Sequence, residues 1–220
     1  MKKIVDNFKK TGWAPEPEAK RLFAMAGLDV PNYICAHTPD EAVKFACQTG
    51  YPVVAKVVSP RIIHKSDVGG VIVGIDSDER LENAYQTLKG LDGFDCMLVE
   101  EMARGQELII GAKIDYQFGP VILLGIGGTG VEIYQDVTMR MAPLNDNDVI
   151  SMIDSLKGRS LLKGFRGGAP VNIDVLTKLL IKFSSLIIDL ESHIQSIDLN
   201  PVICSRDRCI IADARIILSD

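Results

Sequence analysis

No pair of cysteines in this sequence is spaced as CxxC, and the five present (Cys35, Cys47, Cys96, Cys204, Cys209) are odd in number. A zinc ribbon or a disulfide framework is therefore excluded as the organising device. Most of the five sit in apolar stretches, which reads as buried free thiols in a reducing, cytoplasmic setting. No apolar run approaches the roughly 18 residues that a membrane span requires. The longest helical candidate, Asp174–Leu190, is interrupted by Lys178, Lys182 and Asp189. The amino terminus, MKKIVDNFKKTG, is basic but lacks an apolar core, so it is not read as a signal peptide. Neither sign of charge dominates: 24 Lys and Arg stand against 29 Asp and Glu, a net charge of -5. That balance points to neither a nucleic acid nor a membrane as partner. Internal repeats and low-complexity tracts are also lacking.

What is present is the material of an ordinary globular protein, 220 residues long and 47% hydrophobic, enough for one large domain or two small ones. Apolar residues recur at three- and four-residue spacing over Glu16–Ala26, Asp40–Thr49 and Asp78–Lys89, each followed by a glycine, Gly27, Gly50 or Gly90. These predict helices with glycine stops. Two more are expected over Asp146–Asp154 and Asp174–Glu191. Strands are expected at Val53–Val58, Val71–Ile75, Met97–Glu101, Glu107–Lys113, Val121–Leu124, Val131–Tyr134, Thr138–Ala142, Ile194–Leu199 and Arg208–Ala212. Strands follow one another in the middle of the chain without intervening helices, which argues for an α+β fold with antiparallel sheets. A soft boundary near Glu101–Gln106 predicts two subdomains, residues 1–100 and 101–220, and a meeting of subdomains is a common place for a ligand cleft.

The densest chemistry lies in Ala55–Val71, AKVVSPRIIHKSDVGGV. Lys56 is embedded in an apolar strand pattern, and burying an ammonium without a partner costs several kcal/mol. Either it meets an anion there, or it lies on an edge strand and reaches water. The pair Gly69-Gly70 lets backbone amides approach an anion closely, or forms a simple hairpin turn. His64, between Lys56 and that pair, is a candidate phosphate-accepting nucleophile, with an ordinary structural histidine as the alternative. Glu100 and Glu107 bracket the soft boundary, where carboxylates can accept hydrogen bonds from ribose hydroxyls or an adenine amino group, or simply confer solubility. His37 and His193 have no partner pattern.

Gly125-Ile126-Gly127-Gly128-Thr129-Gly130 formally matches GxGxxG after a strand. The dinucleotide fingerprint requires a helix next, and Val131-Glu132-Ile133-Tyr134 alternates like a strand, so that reading fails. A glycine turn near an anion or a plain tight turn remains. At the carboxyl end, a hairpin centred between Arg206 and Asp207 places Asn200 opposite Asp213 and Asp198 opposite Arg215. Period-two alternation then sets Asp198, Asn200, Asp213 and Arg215 on one face, with Ile197, Leu199 and Ala212 on the other. A carboxylate facing a carboxamide supplies hard oxygen ligands suited to Mg²⁺ shared with substrate phosphates. The alternative is a solvated face carrying an Asp–Arg cross-strand pair, and a one-residue slip would undo the pairing.

Taken in order, GYPVVAKVVSP with HKSDVGGV, LVEEMARGQELIIG, FGPVILLGIGG, RMAPL, LLKGFRG and IDLNPV followed by ADARI span nearly the whole chain. Together they resemble the ATP-grasp β subunit of the ADP-forming (NDP-forming) acetyl-CoA and acyl-CoA synthetases, related to the β subunit of succinyl-CoA synthetase. The resemblance implies an ATP-grasp fold, two subdomains with antiparallel or mixed sheets and a nucleotide cleft between them. It implies an acid–thiol ligase reaction, acyl-CoA + ADP + phosphate ⇌ carboxylic acid + CoA + ATP, through acyl phosphate and phosphohistidine. By motif, Lys56 with the Gly69-Gly70 loop would contact nucleotide phosphate; Glu100 and the following Glu101 and Met102 would recognise adenine; Glu107 would bind ribose. Asn200 and Asp213 would hold Mg²⁺, Asp198 would face the visiting phosphohistidine, and His64 would receive phosphate. Arg140 and the Gly127-Gly128 turn would lie near the phosphates. Where Gly130 stands, the family usually carries a bulky hydrophobic residue. CoA-binding and acid-binding domains are absent from these residues, which implies an α subunit bearing the principal phosphohistidine, in an α2β2-type heteromer. A self-contained ATP-grasp carboxylate ligase and a nucleotide-binding regulatory module are the alternatives; the HKSDVGG histidine disfavours the first, and retention of Lys56, Asp198, Asn200 and Asp213 the second.

Overall fold

The computed structural model describes residues 8, 11–128, 135–165 and 168–219. The expected strand Val131–Tyr134 and Gly130 lie outside the described residues. In chain order the elements are β1 (Trp13–Ala14), α1 (Glu16–Met25), β2 (Tyr33–Ala36), α2 (Pro39–Thr49), β3 (Val53–Val58), β4 (Val71–Ile75), α3 (Asp78–Lys89) and β5 (Cys96–Glu101). There follow β6 (Gln106–Asp115), β7 (Gly119–Ile126), β8 (Val137–Met141), α4 (Asp146–Ser155), α5 (Arg159–Leu162), α6 (Ile173–Leu190), β9 (Ile194–Cys204), β10 (Cys209–Ile211) and β11 (Arg215–Leu218). The expected α+β class with antiparallel sheets is what the structure has. β1, β2, β11 and the short α5 are additional, all of four residues or fewer and too short to carry a periodic signal.

The chain forms two compact units, Met1–Val30 with Arg104–Asp220, and Pro31–Ala103. A single boundary at residue 100 had been expected. The chain instead crosses twice, because β1 pairs antiparallel with β11 and so ties the first residues to the last sheet (Trp13↔Ile217, Ala14↔Ile216).

Pro31–Ala103 holds a four-stranded sheet in the order β2-β5-β3-β4. Val53, Ala55 and Val57 of β3, with Met97 and Val99 of β5, pack against Ala42 and Ala46 of α2 and Leu81, Ala84, Tyr85 and Leu88 of α3. Local chemistry delimits these helices. Thr38 and Ser77 cap α2 and α3 by accepting backbone N–H bonds from Glu41 and Arg80, and Gly50 and Gly90 follow their last residues.

The other unit holds a seven-stranded sheet ordered β1-β11-β9-β6-β7-β8, with β10 pairing to β9. Its core is filled by Leu176, Leu179, Leu180, Phe183, Ile187 and Leu190 of α6 together with Leu22 and Phe23 of α1 and the inward residues of the strands. Those α6 positions recur every three or four residues, which lays one stripe on the sheet. Asn172 caps α6 by accepting from Asp174 and Val175 N–H. Phe23 and Phe183 rings meet at 6.4 Å, and truncating Phe183 to alanine would cost about 3–5 kcal/mol. Cys96, Cys204 and Cys209 are buried thiols, while Cys35 is half-buried and Cys47 exposed. A hydrogen bond with Cys209, and burial, push the Cys204 thiol well above its ordinary range. Among the described residues no helix is long and apolar enough to cross a membrane.

Candidate functional site

In Pro31–Ala103, β3 is an interior strand, flanked by β5 and β4, and Lys56 is only 4% exposed. The edge-strand reading of Lys56 therefore fails. The anion it meets is a side chain of its own sheet: Lys56 Nζ lies 2.7 Å from Glu100 Oε1. Register explains the pairing. Lys56 is opposite Leu98 and Val54 opposite Glu100, so Lys56 and Glu100 are diagonal neighbours on the sheet face away from α2 and α3. Two residues assigned separately to phosphate and to adenine are thus one buried ion pair, each fixing the other.

Glu101 ends β5. Its N–H donates to the Asn32 carbonyl at 3.0 Å, and its Oε2 accepts from Asn32 Nδ2 at 2.9 Å. Asn32 went unnoticed in the sequence because it stands in a connection with no periodicity; only the β2–β5 pairing brings it to Glu101. Met102 follows, half-buried and outside the strand.

His64 is exposed, in the connection from β3 to β4. The glycine pair closes that connection, but not as an open amide cradle. Gly69 N–H donates to Ser66 O at 3.3 Å and Gly70 N–H to Lys65 O at 2.7 Å. Both amides expected to face an anion are engaged with the loop's own carbonyls. Gly69 has φ +67°, and a Cβ on Gly70 would stand 2.6 Å from Val57 Cγ1. The pair shapes the loop that displays His64.

In the other unit the predicted hairpin register is observed. Cys204 pairs with Cys209, Val202 with Ile211, and Asp198 with Arg215. Arg215 Nη2 donates to Asp198 Oδ2 at 3.2 Å. Between these stretches, at Asn200 on one side and Asp213 on the other, ladder pairing is interrupted. Ala212 N–H and Asp213 N–H both donate to Pro201 O, at 3.0 and 3.4 Å. Burial shows the consequence: Leu199 and Val202 are buried on β9, Ile211 and Ala214 opposite them, with two outward residues between each pair. The matched irregularities shift the alternation, as bulges do. Hence Ala214, not the expected Ala212, joins Ile197 and Leu199 on the inner face. Asn200 is exposed and Asp213 half-buried; Asp213 Oδ1 accepts from Ala214 N–H at 2.8 Å.

Glu107 lies in β6 beside the glycine turn. Its carbonyl accepts from Gly127 N–H at 2.8 Å, and a Cβ on Gly127 would stand 2.7 Å from the Glu107 carbonyl carbon. Only glycine permits that approach. Arg140 is placed differently. Its strand row runs Arg140–Ile122–Ala112–Ile197, whereas Asp198 belongs to the row Asp198–Gly111–Leu123–Met139. Arg140 therefore occupies the helix-side face, opposite to Asp198, and its Nη2 donates to Ser151 Oγ of α4 at 2.8 Å. The structure does not bring Arg140 together with Asp198.

Among the described residues no group of three or more His, Cys, Asp or Glu side chains is arranged to hold a metal ion. One carboxylate and one carboxamide, Asp213 and Asn200, still fit Mg²⁺, which keeps several waters and is commonly shared with substrate phosphates. It does not fit a metal needing a full protein cage.

Comparison with known proteins matches this geometry to a family. The ATP-grasp domain model matches residues 8–218. The β subunit of acetate–CoA ligase [ADP-forming] I from Pyrococcus furiosus is 41% identical over 211 residues, covering 92% of this chain and 90% of that protein. A structure of the dinucleotide-forming acetyl-coenzyme A synthetase 1 of Ca. Korarchaeum cryptofilum, in complex with coenzyme A, Ca-AMPCP and HgCl+, superposes with TM-score 0.92 at 40% identity, covering 99% of each chain. A second structure of that enzyme, with coenzyme A and Mg-AMPPCP and its phosphohistidine segment pointing towards the nucleotide-binding site, gives 0.86 at 39% identity, again covering 99% of each chain. From its fold, its hairpin register and these matches, the chain belongs to the ATP-grasp family, among the β subunits of ADP-forming acyl-CoA ligases.

Proposed function

We propose that this chain is the nucleotide-handling subunit of an ADP-forming acyl-CoA synthetase, which catalyses acyl-CoA + ADP + phosphate ⇌ carboxylic acid + CoA + ATP together with an α subunit. The observation that carries the reading is the carboxyl-terminal hairpin, which pairs Asp198 with Arg215 and Val202 with Ile211 and leaves Asn200 and Asp213 at the interruption between those pairs. The interruption leaves Asn200 exposed and Asp213 half-buried beside the Asp198–Arg215 pair, where hard oxygen ligands can reach a metal shared with substrate phosphates.

In this reading Glu100, Glu101 and Met102 recognise adenine, Glu107 accepts from the ribose hydroxyls, and Lys56 serves the phosphates. Lys56 is held in place by Glu100 at 2.7 Å, so its ammonium is positioned before any nucleotide arrives, and little ordering entropy is lost on binding. Asn200 and Asp213 hold Mg²⁺, which when bound neutralises phosphate charge and orients the transferring group. Asp198 is directed by Arg215, whose Nη2 donates to its Oδ2 at 3.2 Å. Its carboxylate accepts the N–H of an incoming imidazole, so that the other ring nitrogen faces the phosphoryl group. His64 stands on an exposed loop shaped by Gly69 and Gly70, where an imidazole can meet a partner's phosphoryl donor and carry the group as phosphohistidine. The acyl group and CoA are handled by the α subunit, since catalysis needs the reacting groups held in near-attack geometry and this chain provides only the nucleotide, metal and phosphate-relay groups.

The test is reconstitution. The isolated chain should form no ATP from acyl-CoA, ADP and phosphate, and the mixture with a cognate α subunit should. Robust synthetase activity from the isolated chain, or no Mg-nucleotide binding by the assembled complex in calorimetry, overturns the proposal.

A further inference from the structure

We propose that Asp136 is a positioning residue for the nucleotide site, acting through the Gly127-Gly128 turn; the inference rests on the reading that Glu107 and this turn meet the nucleotide. Asp136 touches none of the residues assigned to substrate, yet it makes three bonds that together fix the end of β7. Its backbone carbonyl accepts Ile126 N–H at 3.1 Å. Its carboxylate accepts two consecutive amides from the connection between α4 and α5, Lys157 N–H at 2.8 Å to Oδ1 and Gly158 N–H at 2.7 Å to Oδ2. Successive amides aimed at one anion form a nest, and here the chain fills the nest with its own carboxylate.

The surroundings are built around that placement. Gln135 has φ +43°, a conformation uncommon outside glycine, and Val137 N–H donates back to Gln135 O at 3.0 Å. A tight turn thus delivers Asp136 to the nest. A Cβ on Gly158 would stand 3.0 Å from Ile126 Cγ1 and 3.1 Å from Asp136 Oδ2, and one on Gly125 would stand 3.1 Å from the Asp136 carbonyl oxygen. Two glycines therefore leave room for Asp136 on either side. Immediately after Ile126, Gly127 N–H engages Glu107 O at 2.8 Å. The path from the α4–α5 connection to Glu107 is Lys157/Gly158, Asp136, Ile126, Gly127, Glu107, with a hydrogen bond or a peptide at every step. Nothing in the pattern of residues points to this, because an acid just ahead of a strand reads as turn polarity.

The experiment is steady-state kinetics of the assembled complex carrying Asp136→Asn. An amide group cannot accept both N–H bonds, so the turn loosens, and a displacement near 1 Å in a binding group can cost one to two decades. The KM for ADP should rise by roughly tenfold while kcat at saturating ADP and the KM for acyl-CoA stay within about a factor of two, the signature of lost ground-state binding. A merely structural role would lower kcat with the folded fraction and leave the ADP KM unchanged; that result overturns the proposal. If Asp136→Asn does not fold, Gly158→Ala, which crowds the same carboxylate, is read by the same criteria. A wild-type complex that shows no saturable dependence on ADP refutes the nucleotide reading itself and this inference with it.

Discussion

Changing Glu100 to Gln removes the charge that faces Lys56 while keeping nearly the same shape. The two groups are 2.7 Å apart, with side chains 5% and 3% exposed. At an effective dielectric of about 20 their attraction is about 6 kcal/mol. Much of that is cancelled by the cost of removing both ions from water, and breaking one buried pair typically leaves a net loss of about 3–5 kcal/mol. For a domain of this size that corresponds to a fall in Tm on the order of 10 °C. Lys56→Met should cost a similar amount. The double variant Lys56→Met/Glu100→Leu should recover most of the loss, because a packed apolar pair is often as stable as the ions it replaces. With Glu100→Leu as the matching single variant, thermal and urea unfolding of the wild type, Lys56→Met, Glu100→Leu and the double variant closes a double-mutant cycle. Single changes that each cost under about 1 kcal/mol and simply add would refute the claim that the pair holds this face of the sheet. The functional half is separate. The double variant should be folded and unable to bind ADP; a well-folded double variant that still binds would show that neither side chain serves the nucleotide.

Asp213→Ala should raise the Mg²⁺ concentration needed for half-maximal turnover and depress the rate; an unchanged metal dependence favours a solvated hairpin. His64→Ala should abolish an acid-labile, alkali-stable phosphate label on this subunit, and retention of both label and rate would make His64 structural. Asp115 accepts N–H bonds from Gln117 and Phe118, which hold its carboxyl below the ordinary value of 3.8. A lowered folded value means the stabilisation is complete above 3.8 and is lost as pH falls through the lower one. Asp115→Asn should therefore flatten the loss of Tm below pH 4, and parallel Tm curves for the two proteins would contradict this.

The carboxyl-terminal hairpin was legible in the sequence because its turn, Ser205-Arg206-Asp207-Arg208, is polar and its flanks alternate cleanly, so register followed from counting outward. The double interruption at Asn200 and Asp213 was not, since equal insertions on both strands leave the register sum unchanged and show only in which alanine is buried. Lys56 was conspicuous as a charge in an apolar strand, but its partner lies 44 positions away on β5, and only strand order makes them neighbours. The Gly69-Gly70 pair stayed open between an anion cradle and a plain turn for a local reason. Glycine signals backbone freedom, and the chain uses that freedom to bond to its own carbonyls. Arg140 was grouped with the phosphates by motif, whereas strand parity assigns it to the helix side.

The double crossing of the chain has a consequence for synthesis. Pro31–Ala103 contains every strand of its own sheet, so as the polypeptide leaves the ribosome this segment can complete its pairing while much of the message is still unread. The larger sheet must wait. Trp13 precedes all of that segment and has its partner at Ile217, far beyond it, and β6 has its partner in β9. Until β11 is made, then, β1 stays without its mate. Pairings of such long sequence separation form slowly and leave strand edges exposed meanwhile. The vulnerable interval of this protein's life is the whole span between the making of β1 and the arrival of β11.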